Sequence, residues 1–372
     1  MSLVLYRKYR PQLFSEIIGQ EHVVKTLTNA ISEEVVSHAY LFSGPRGSGK
    51  TTIARLLTKA VNCHNRKKGE FEPCNKCQSC IEIANGRSLD LIEIDAASHR
   101  GIDEIRELKE GIKFSPTKEK YKVFIIDESH QLTKEAANAL LKILEEPPSH
   151  AIFVLATTEI HKMIPTIISR CQRFDFRKLT LEEIVKKLEM ISQKEDIKIE
   201  RPALELIALN SGGAIRDAES LLDQVFSFSG ENGRKKEIKI EEIKDLLGMA
   251  DTQMIASFVD FLIEKDANKA VNFINEIFEK GYDPQEFIKA LIYYLRQALI
   301  LKINPETQNP IIIGLAKEEQ EKIKKQIERL NLQEIQKILN IFLDAESKTK
   351  YSPIPQLPLE LAIVEICQHD NE

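Results

Sequence analysis

The stretch that most constrains this chain runs from Leu41 to Leu57, LFSGPRGSGKTTIARLL. An apolar run from Ala39 to Phe42 ends in Gly44-Pro45-Arg46-Gly47-Ser48-Gly49-Lys50-Thr51, and a helix-forming segment follows directly. This is the pattern G-x-x-x-x-G-K-[ST]. Glycines let backbone N–H groups turn inward around phosphate oxygens, and the new helix adds its positive N-terminal end. Lys50 supplies a point charge to the phosphates, and the Thr51 hydroxyl can coordinate Mg²⁺. Glycine-rich loops match eight residues by chance. Here strand, loop and helix occur in the required order, which points to a nucleoside triphosphate site.

The length of 372 residues allows two or three domains with their own cores. With 42% hydrophobic and 29% charged residues, the composition is that of an ordinary globular protein. The net charge of −5 argues against a chain that is basic all over, but leaves room for a local basic lining. Met1–Arg10 is polar and basic, so no secretory signal is expected, and no apolar run reaches membrane length. The expected location is the cytoplasm.

Strands are predicted at His38–Ser43, Leu89–Asp95, Val123–Ile126, Ile152–Ala156 and Cys171–Phe176, alternating with helical segments that include Glu21–Ile31 and Ile102 to about Ile112. Alternation of this kind predicts an α/β fold with a mainly parallel, doubly wound sheet. After Leu179 the strand pattern ends. Leu181–Asp245 reads as three or four short helices. Longer ones follow at Asp251–Glu264, Ala267–Lys280, Pro284–Lys302, Glu318–Leu330, Leu332–Lys348 and Leu357–Cys367. Their apolar faces fit either an assembly surface or a private helical core.

Several groups carry chemistry. The strand Val123–Ile126 delivers Asp127 and Glu128 at its carboxyl end, where ligands of open parallel sheets bind. Asp127 is placed to hold Mg²⁺ with Thr51, and Glu128 to polarise an attacking water. Two acids after a strand also suit a solvated turn; the phosphate loop favours the functional reading. Thr157 and Thr158 close the next strand at the same edge, where Thr158 can orient water, although β-branched residues favour strands anyway. Arg170, in Ser169-Arg170-Cys171, is either a surface cation or a finger offered to a neighbouring subunit's nucleotide. Arg216 stands near a helix start, where the macrodipole favours anions; it suits an anionic ligand, or a pairing with Asp217 or Glu219. Cys63-x10-Cys74-x2-Cys77-x2-Cys80 can close a tetrahedral structural zinc site. Iron–sulfur ligation and free thiols are the alternatives, and His64 is a weaker ligand. His99, Arg100, Lys162 and Thr166 could grip phosphodiester oxygens of DNA, or be scattered surface groups.

With these pieces placed, the chain resembles the AAA+ ATPases, and within them the gamma/tau clamp-loader family of bacterial DNA polymerase III. The resemblance rests on YRKYRPQLFSEIIGQ (6–20), GPRGSGKTT (44–52), the four-cysteine insert, EIDAASHRGIDEIREL (93–108), IIDESHQLTKEAANALLKILEEPP (125–148), LATTEIHKMIPTIISRCQRFDF (155–176) and GGAIRDAESLLDQ (212–224). It implies the P-loop AAA+ fold, with a parallel five-stranded sheet in the order 5-1-4-3-2. An ATPase domain is expected at 1–179, a small helical lid at 180–247 and an all-α collar at 248–372.

For the nucleotide site, the resemblance implies ATP contacts from Gly44, Pro45, Arg46, Gly47, Ser48, Gly49, Lys50, Thr51 and Thr52. It places Tyr9, Arg10, Ile17 and Ile18 around the adenine. Lys50, Thr51, Asp127 and Glu128 look like the two Walker motifs, Thr158 like sensor 1, Arg216 like sensor 2, and Arg170 like a finger acting in trans. Cys63, Cys74, Cys77 and Cys80 match the family's zinc ligands. The implied partners are delta and delta-prime in a pentamer, further copies of this chain, the sliding clamp and primer-template DNA. The implied activity is ATP-driven clamp loading, with a DNA-translocating motor such as a branch-migration helicase, or a non-hydrolysing scaffold, as alternatives. No polymerase carboxylate constellation is present. Longer family members carry C-terminal domains that bind polymerase and helicase; those contacts are not assigned to these 372 residues.

Overall fold

Five strands form one parallel sheet: β1 (Ala39–Ser43), β2 (Leu91–Asp95), β3 (Lys122–Asp127), β4 (Ala151–Thr157) and β5 (Gln172–Asp175). Their order is β2-β3-β4-β1-β5, as expected. The computed structural model describes residues 4–98, 111–112, 114–228, 237–246, 252–306, 312 and 317–368. All of β1 and β4 is buried, which explains why both read as unbroken apolar runs instead of alternating ones. The register aligns their carboxyl ends: Ser43 stands opposite Thr157 and Asp175, and Asp95 opposite Asp127. Whatever follows each strand therefore arrives at one edge of the sheet.

The two faces of the sheet pack separate cores. On one, Val23, Leu27 and Ile31 from helix Glu21–Ser32 and Ile53, Leu56 and Leu57 from helix Lys50–Val61 cover Tyr40, Phe42 and Val154. On the other, Leu140, Ile143 and Leu144 from helix Lys134–Glu145 cover Leu41, Phe124 and Phe153, and the last two stack with ring centroids 5.2 Å apart. Thr133 caps that helix by accepting from the Ala136 N–H, and Glu146 ends it ahead of Pro147 and Pro148.

The chain divides into two compact units, one of residues 1–197 with 207–234, the other of 198–206 with 235–372. The second holds a two-stranded parallel pair, β6 (Lys198–Ile199) and β7 (Glu237–Ile238), that periodicity did not reveal because two-residue strands have none. Its long helices are Thr252–Ile263, Ala267–Glu279, Pro284–Ile303, Lys317–Glu328, Leu332–Thr349 and Leu357–Gln368. They bury a core of their own, with Phe258, Phe287 and Phe342 at its centre. Inside it, Gln326 Nε2 donates to the Ala256 carbonyl (2.7 Å) and to Asp260 Oδ1 (2.8 Å), which satisfies a buried amide. No helix among the described residues is long and apolar enough to cross a membrane.

Candidate functional site

The phosphate loop leaves β1 with three glycines at positive φ: Gly44 (153°), Gly47 (74°) and Gly49 (98°). A Cβ at Gly44 would lie 2.4 Å from the Phe176 carbonyl oxygen, and one at Gly47 would lie 2.8 Å from the Ala214 Cβ. The Phe176 backbone and the Ala214 side chain thus exclude side chains at Gly44 and Gly47, which lets a ligand approach the loop backbone closely. Lys50 is buried, and its Nζ donates to the Gly44 (2.8 Å) and Pro45 (2.9 Å) carbonyls. Burial lowers its pKa from the ordinary value, partly offset by Asp127 and Glu128.

The strand ends converge beside the loop. Thr51 Oγ1 donates to Asp127 Oδ2 at 2.8 Å, which brings the two groups expected to hold Mg²⁺ into direct contact. Glu128 adopts left-handed backbone (φ 47°), a conformation a non-glycine residue rarely takes and one that tends to mark functional sites. Thr158 Oγ1 donates to Glu128 Oε2 at 2.9 Å, so the hydroxyl and carboxylate expected to handle water are joined. His130 stands behind them with Nδ1 2.9 Å from Thr157 Oγ1 and 3.5 Å from Glu128 Oε2, and Nε2 3.4 Å from Glu159 Oε1.

Thr51, Asp127 and Glu128, but not Thr158 or His130, line a cleft of about 650 Å³, together with the rest of residues 46–52, Asp95 and Ala97 at the strand edge, and Arg10, Pro11, Glu16, Ile17 and Ile18 from the N-terminal segment. Its wall is completed by Tyr6, Leu179, Lys187, Ile215, Arg216 and Glu219. The Arg216 guanidinium lies 4.8 Å over the Tyr6 ring, not on Asp217 or Glu219. Of the four residues expected around the adenine, Arg10, Ile17 and Ile18 line this cleft and Tyr9 does not. Its hydroxyl donates to Glu195 Oε1 at 2.6 Å, and Lys8 joins the same carboxylate at 2.6 Å.

Other predicted residues lie apart from the cleft. Arg170 pairs with Glu145 (2.7 Å) and donates to the Thr166 carbonyl (2.9 Å) on the surface. Lys162 pairs with Glu159 at 2.7 Å. His99, Arg100 and most of the helix expected from Ile102 fall outside the described residues. Tyr6 and Lys187 were not expected at the site, and Glu219 was expected only as a partner for Arg216. Glu219 stands one turn beyond Arg216 on helix Ile215–Phe228, and that spacing was the available signal.

The four cysteines meet. Cys63, Cys74, Cys77 and Cys80 place their sulfurs within 4.8 Å of one another. The Cys74 N–H points at Cys63 Sγ (3.3 Å), and the Lys76 and Cys77 N–H groups point at Cys74 Sγ (3.4 and 3.2 Å). Against burial, which raises it, those last two N–H groups hold the Cys74 thiol down at about 6, while burial pushes Cys80 up. Asn75 takes left-handed backbone (φ 55°) inside the first C-x2-C step, between Cys74 and Cys77. Four sulfurs with N–H donors aimed at them suit a closed thiolate site. His64 instead contacts Glu119 at 3.1 Å.

Comparison with known proteins places the chain. Residues 19–180 match a family described as DNA polymerase III, delta subunit; residues 183–231 match the ATPase lid domain of a DNA polymerase III clamp loader subunit; residues 238–371 match domain III of DNA polymerase III subunits gamma and tau. The gamma subunit of Buchnera aphidicola (subsp. Acyrthosiphon pisum) is 37% identical over 363 residues, covering 98% of each chain. The chain belongs to the gamma/tau family of DNA polymerase III subunits. The tau subunit of Bacillus subtilis is 44% identical over 368 residues, which are 99% of this chain and 64% of that one. The chain thus spans less than two thirds of that relative's length. Among solved structures, the Thermotoga maritima RuvB Holliday junction branch migration motor is 21% identical, with 68% of this chain and 79% of that one covered at a TM-score of 0.48.

Proposed function

We propose that this chain is the ATPase motor subunit of a clamp loader, hydrolysing ATP in the cytoplasm to place a ring-shaped sliding clamp on primed DNA. The observation that carries the ATPase reading is the pair of contacts Thr51–Asp127 and Thr158–Glu128 beside the phosphate loop. The clamp-loading reading draws on the family, which includes the ATPase lid domain of a clamp loader subunit. The relatives do not favour a DNA-translocating motor.

In this reading the triphosphate lies on the amides of residues 46–52, and Lys50 leaves its two carbonyls for the phosphates. Thr51 and Asp127 would hold Mg²⁺, which when bound neutralises charge on the phosphate oxygens. Glu128 orients the attacking water and accepts its proton, with Thr158 fixing the carboxylate. Arg216, from the cleft wall, meets the terminal phosphate. Arg170 acts on a neighbouring subunit's nucleotide, consistent with its distance from its own cleft. Cys63, Cys74, Cys77 and Cys80 would hold a structural zinc ion, which when bound would tie the insert into a closed loop. Residues 1–179 serve as the ATPase domain, 180–247 as the lid and 248–372 as the collar of a pentamer containing delta, delta-prime and further copies of this chain. Arg10, Ile17 and Ile18 border the adenine. Lys162 and Thr166 face primer-template DNA.

The deciding experiment measures ATP turnover of the chain assembled with delta and delta-prime, with and without clamp and primed DNA. Stimulation by both together is expected. Turnover indifferent to clamp and DNA would remove clamp loading while leaving the ATPase in place.

A further inference from the structure

Side chains of the four-cysteine insert reach the N-terminal segment beside the cleft. Glu72 Oε2 accepts from the Phe14 N–H at 2.8 Å, and Glu72 Oε1 accepts from the Ser15 N–H at 2.9 Å. Asn75 Nδ2 donates to the Gln12 carbonyl at 3.1 Å. Lys59, buried on helix Lys50–Val61, donates to the same carbonyl at 3.3 Å and to Gln12 Oε1 at 2.9 Å. Residues 12–15 are therefore held jointly by the insert and by the helix that follows the phosphate loop. Their neighbours on either side, Arg10 and Pro11 before and Glu16, Ile17 and Ile18 after, line the cleft. The segment has only the short 3₁₀ turn Phe14–Glu16 of its own, so its position depends on what grips it. Glu72 and Asn75 flank Cys74 in the sequence, and the cysteine cluster thus fixes where both stand.

We propose that the insert braces the nucleotide cleft: Glu72 and Asn75 are positioning residues that hold residues 12–15, and through them the wall of Arg10, Ile17 and Ile18, in the geometry that takes ATP. One carboxylate accepting two consecutive N–H groups sets both the place and the direction of that backbone. The four sulfurs, with zinc bound, would fix Cys74 and with it both residues. ATP affinity then follows occupancy of the metal site, although neither Glu72 nor Asn75 lines the cleft. The inference rests on the reading that the cleft takes a nucleotide.

The test is calorimetric titration of the full chain with ATP and Mg²⁺, beside zinc content and steady-state hydrolysis. Glu72→Ala is expected to keep its zinc, weaken ATP binding roughly tenfold and raise KM, with kcat at saturating ATP retained. Glu72→Gln, which keeps one acceptor oxygen, is expected to recover part of that loss. Asn75→Gly suits the left-handed backbone at φ 55° and removes only the amide, so a smaller loss of affinity is expected; it decides alone if Glu72→Ala does not fold. Chelation of wild-type protein is expected to weaken ATP binding, and to add little in Glu72→Ala because the brace is already broken. Unchanged ATP affinity in both Glu72→Ala and Asn75→Gly overturns the proposal. So does chelation that strips the zinc and leaves ATP affinity as it was, or a fall in kcat with KM unchanged, which marks general damage. Wild-type protein that takes up no ATP removes the nucleotide reading of the cleft itself, and this inference with it.

Discussion

Thr158 Oγ1 donates to Glu128 Oε2 across 2.9 Å, so the first hydroxyl after β4 holds the carboxylate that follows β3. Because the two strands are neighbours in register, this contact depends on the sheet and not on a flexible loop. Glu128→Gln is expected to retain ATP binding while slowing hydrolysis by about 10² or more. Thr158→Val, which keeps the shape and loses the donor, is expected to cost roughly tenfold in turnover with little change in nucleotide affinity. Steady-state hydrolysis beside equilibrium binding checks both, and unchanged turnover in Glu128→Gln removes that residue from its role.

Arg170 has an exposed partner, Glu145, at 2.7 Å. Pairs of that kind contribute within about 1 kcal/mol, so Arg170→Ala is expected to leave the fold intact. Turnover should fall in the assembled complex, yet the isolated chain should bind ATP as before. A matching loss of affinity in the isolated chain would contradict a role in trans.

Elemental analysis of protein purified without chelator is expected to find one zinc ion per chain. Chelation should lower Tm, and restored zinc should recover it, because metal binding at such sites is coupled to folding. Replacing Cys77 by Ser should mimic the chelated state. Protein free of zinc and iron yet equally stable would leave four ordinary thiols.

The Glu219 carboxyl, raised to about 7 by burial, gives a pH signature of its own. Its folded value lies above the unfolded one, so its contribution to stability is full below about 4.5 and lost as pH rises through about 7. Arg10 and Lys187 pull the other way and are already included in that balance. Nucleotide-free wild-type protein is therefore expected to lose on the order of 3 kcal/mol relative to Glu219→Gln between pH 4.5 and 8, read by urea unfolding. Parallel curves for the two proteins would show that the carboxyl stays solvated.

Gly44→Ala is expected to be among the most damaging single changes. Its Cβ would meet the Phe176 carbonyl oxygen at 2.4 Å, and backbone cannot yield as a side chain can. A loss of about 3 kcal/mol or more is expected in denaturant unfolding. Gly49→Ala meets no atom within 4 Å and carries only the strain of φ 98°, so it should cost less.

The sheet was legible because β1, β3 and β4 are short apolar runs, a pattern that comes from burial on both faces. The four cysteines were legible from spacing alone, but helix Gln78–Ala84, which carries Cys80, was not, since seven residues give too little periodicity. Glu219 was considered only as a partner for Arg216, because a sequence shows which residues share a helix face but not which of them face a cleft. Tyr9 stood out by resemblance, whereas the structure puts Tyr6 in the lining and spends the Tyr9 hydroxyl on Glu195, a residue 186 positions away. No local pattern carries such a pairing.

The two carbonyls that receive Lys50 give that side chain a second duty, as a strut across the loop. A variant shortened at Lys50 would lose the brace together with the charge, so impaired ATP uptake in it would merge a slackened cradle with a missing cation. As a blank for studying hydrolysis alone, the glutamate that follows β3 is the cleaner position to alter.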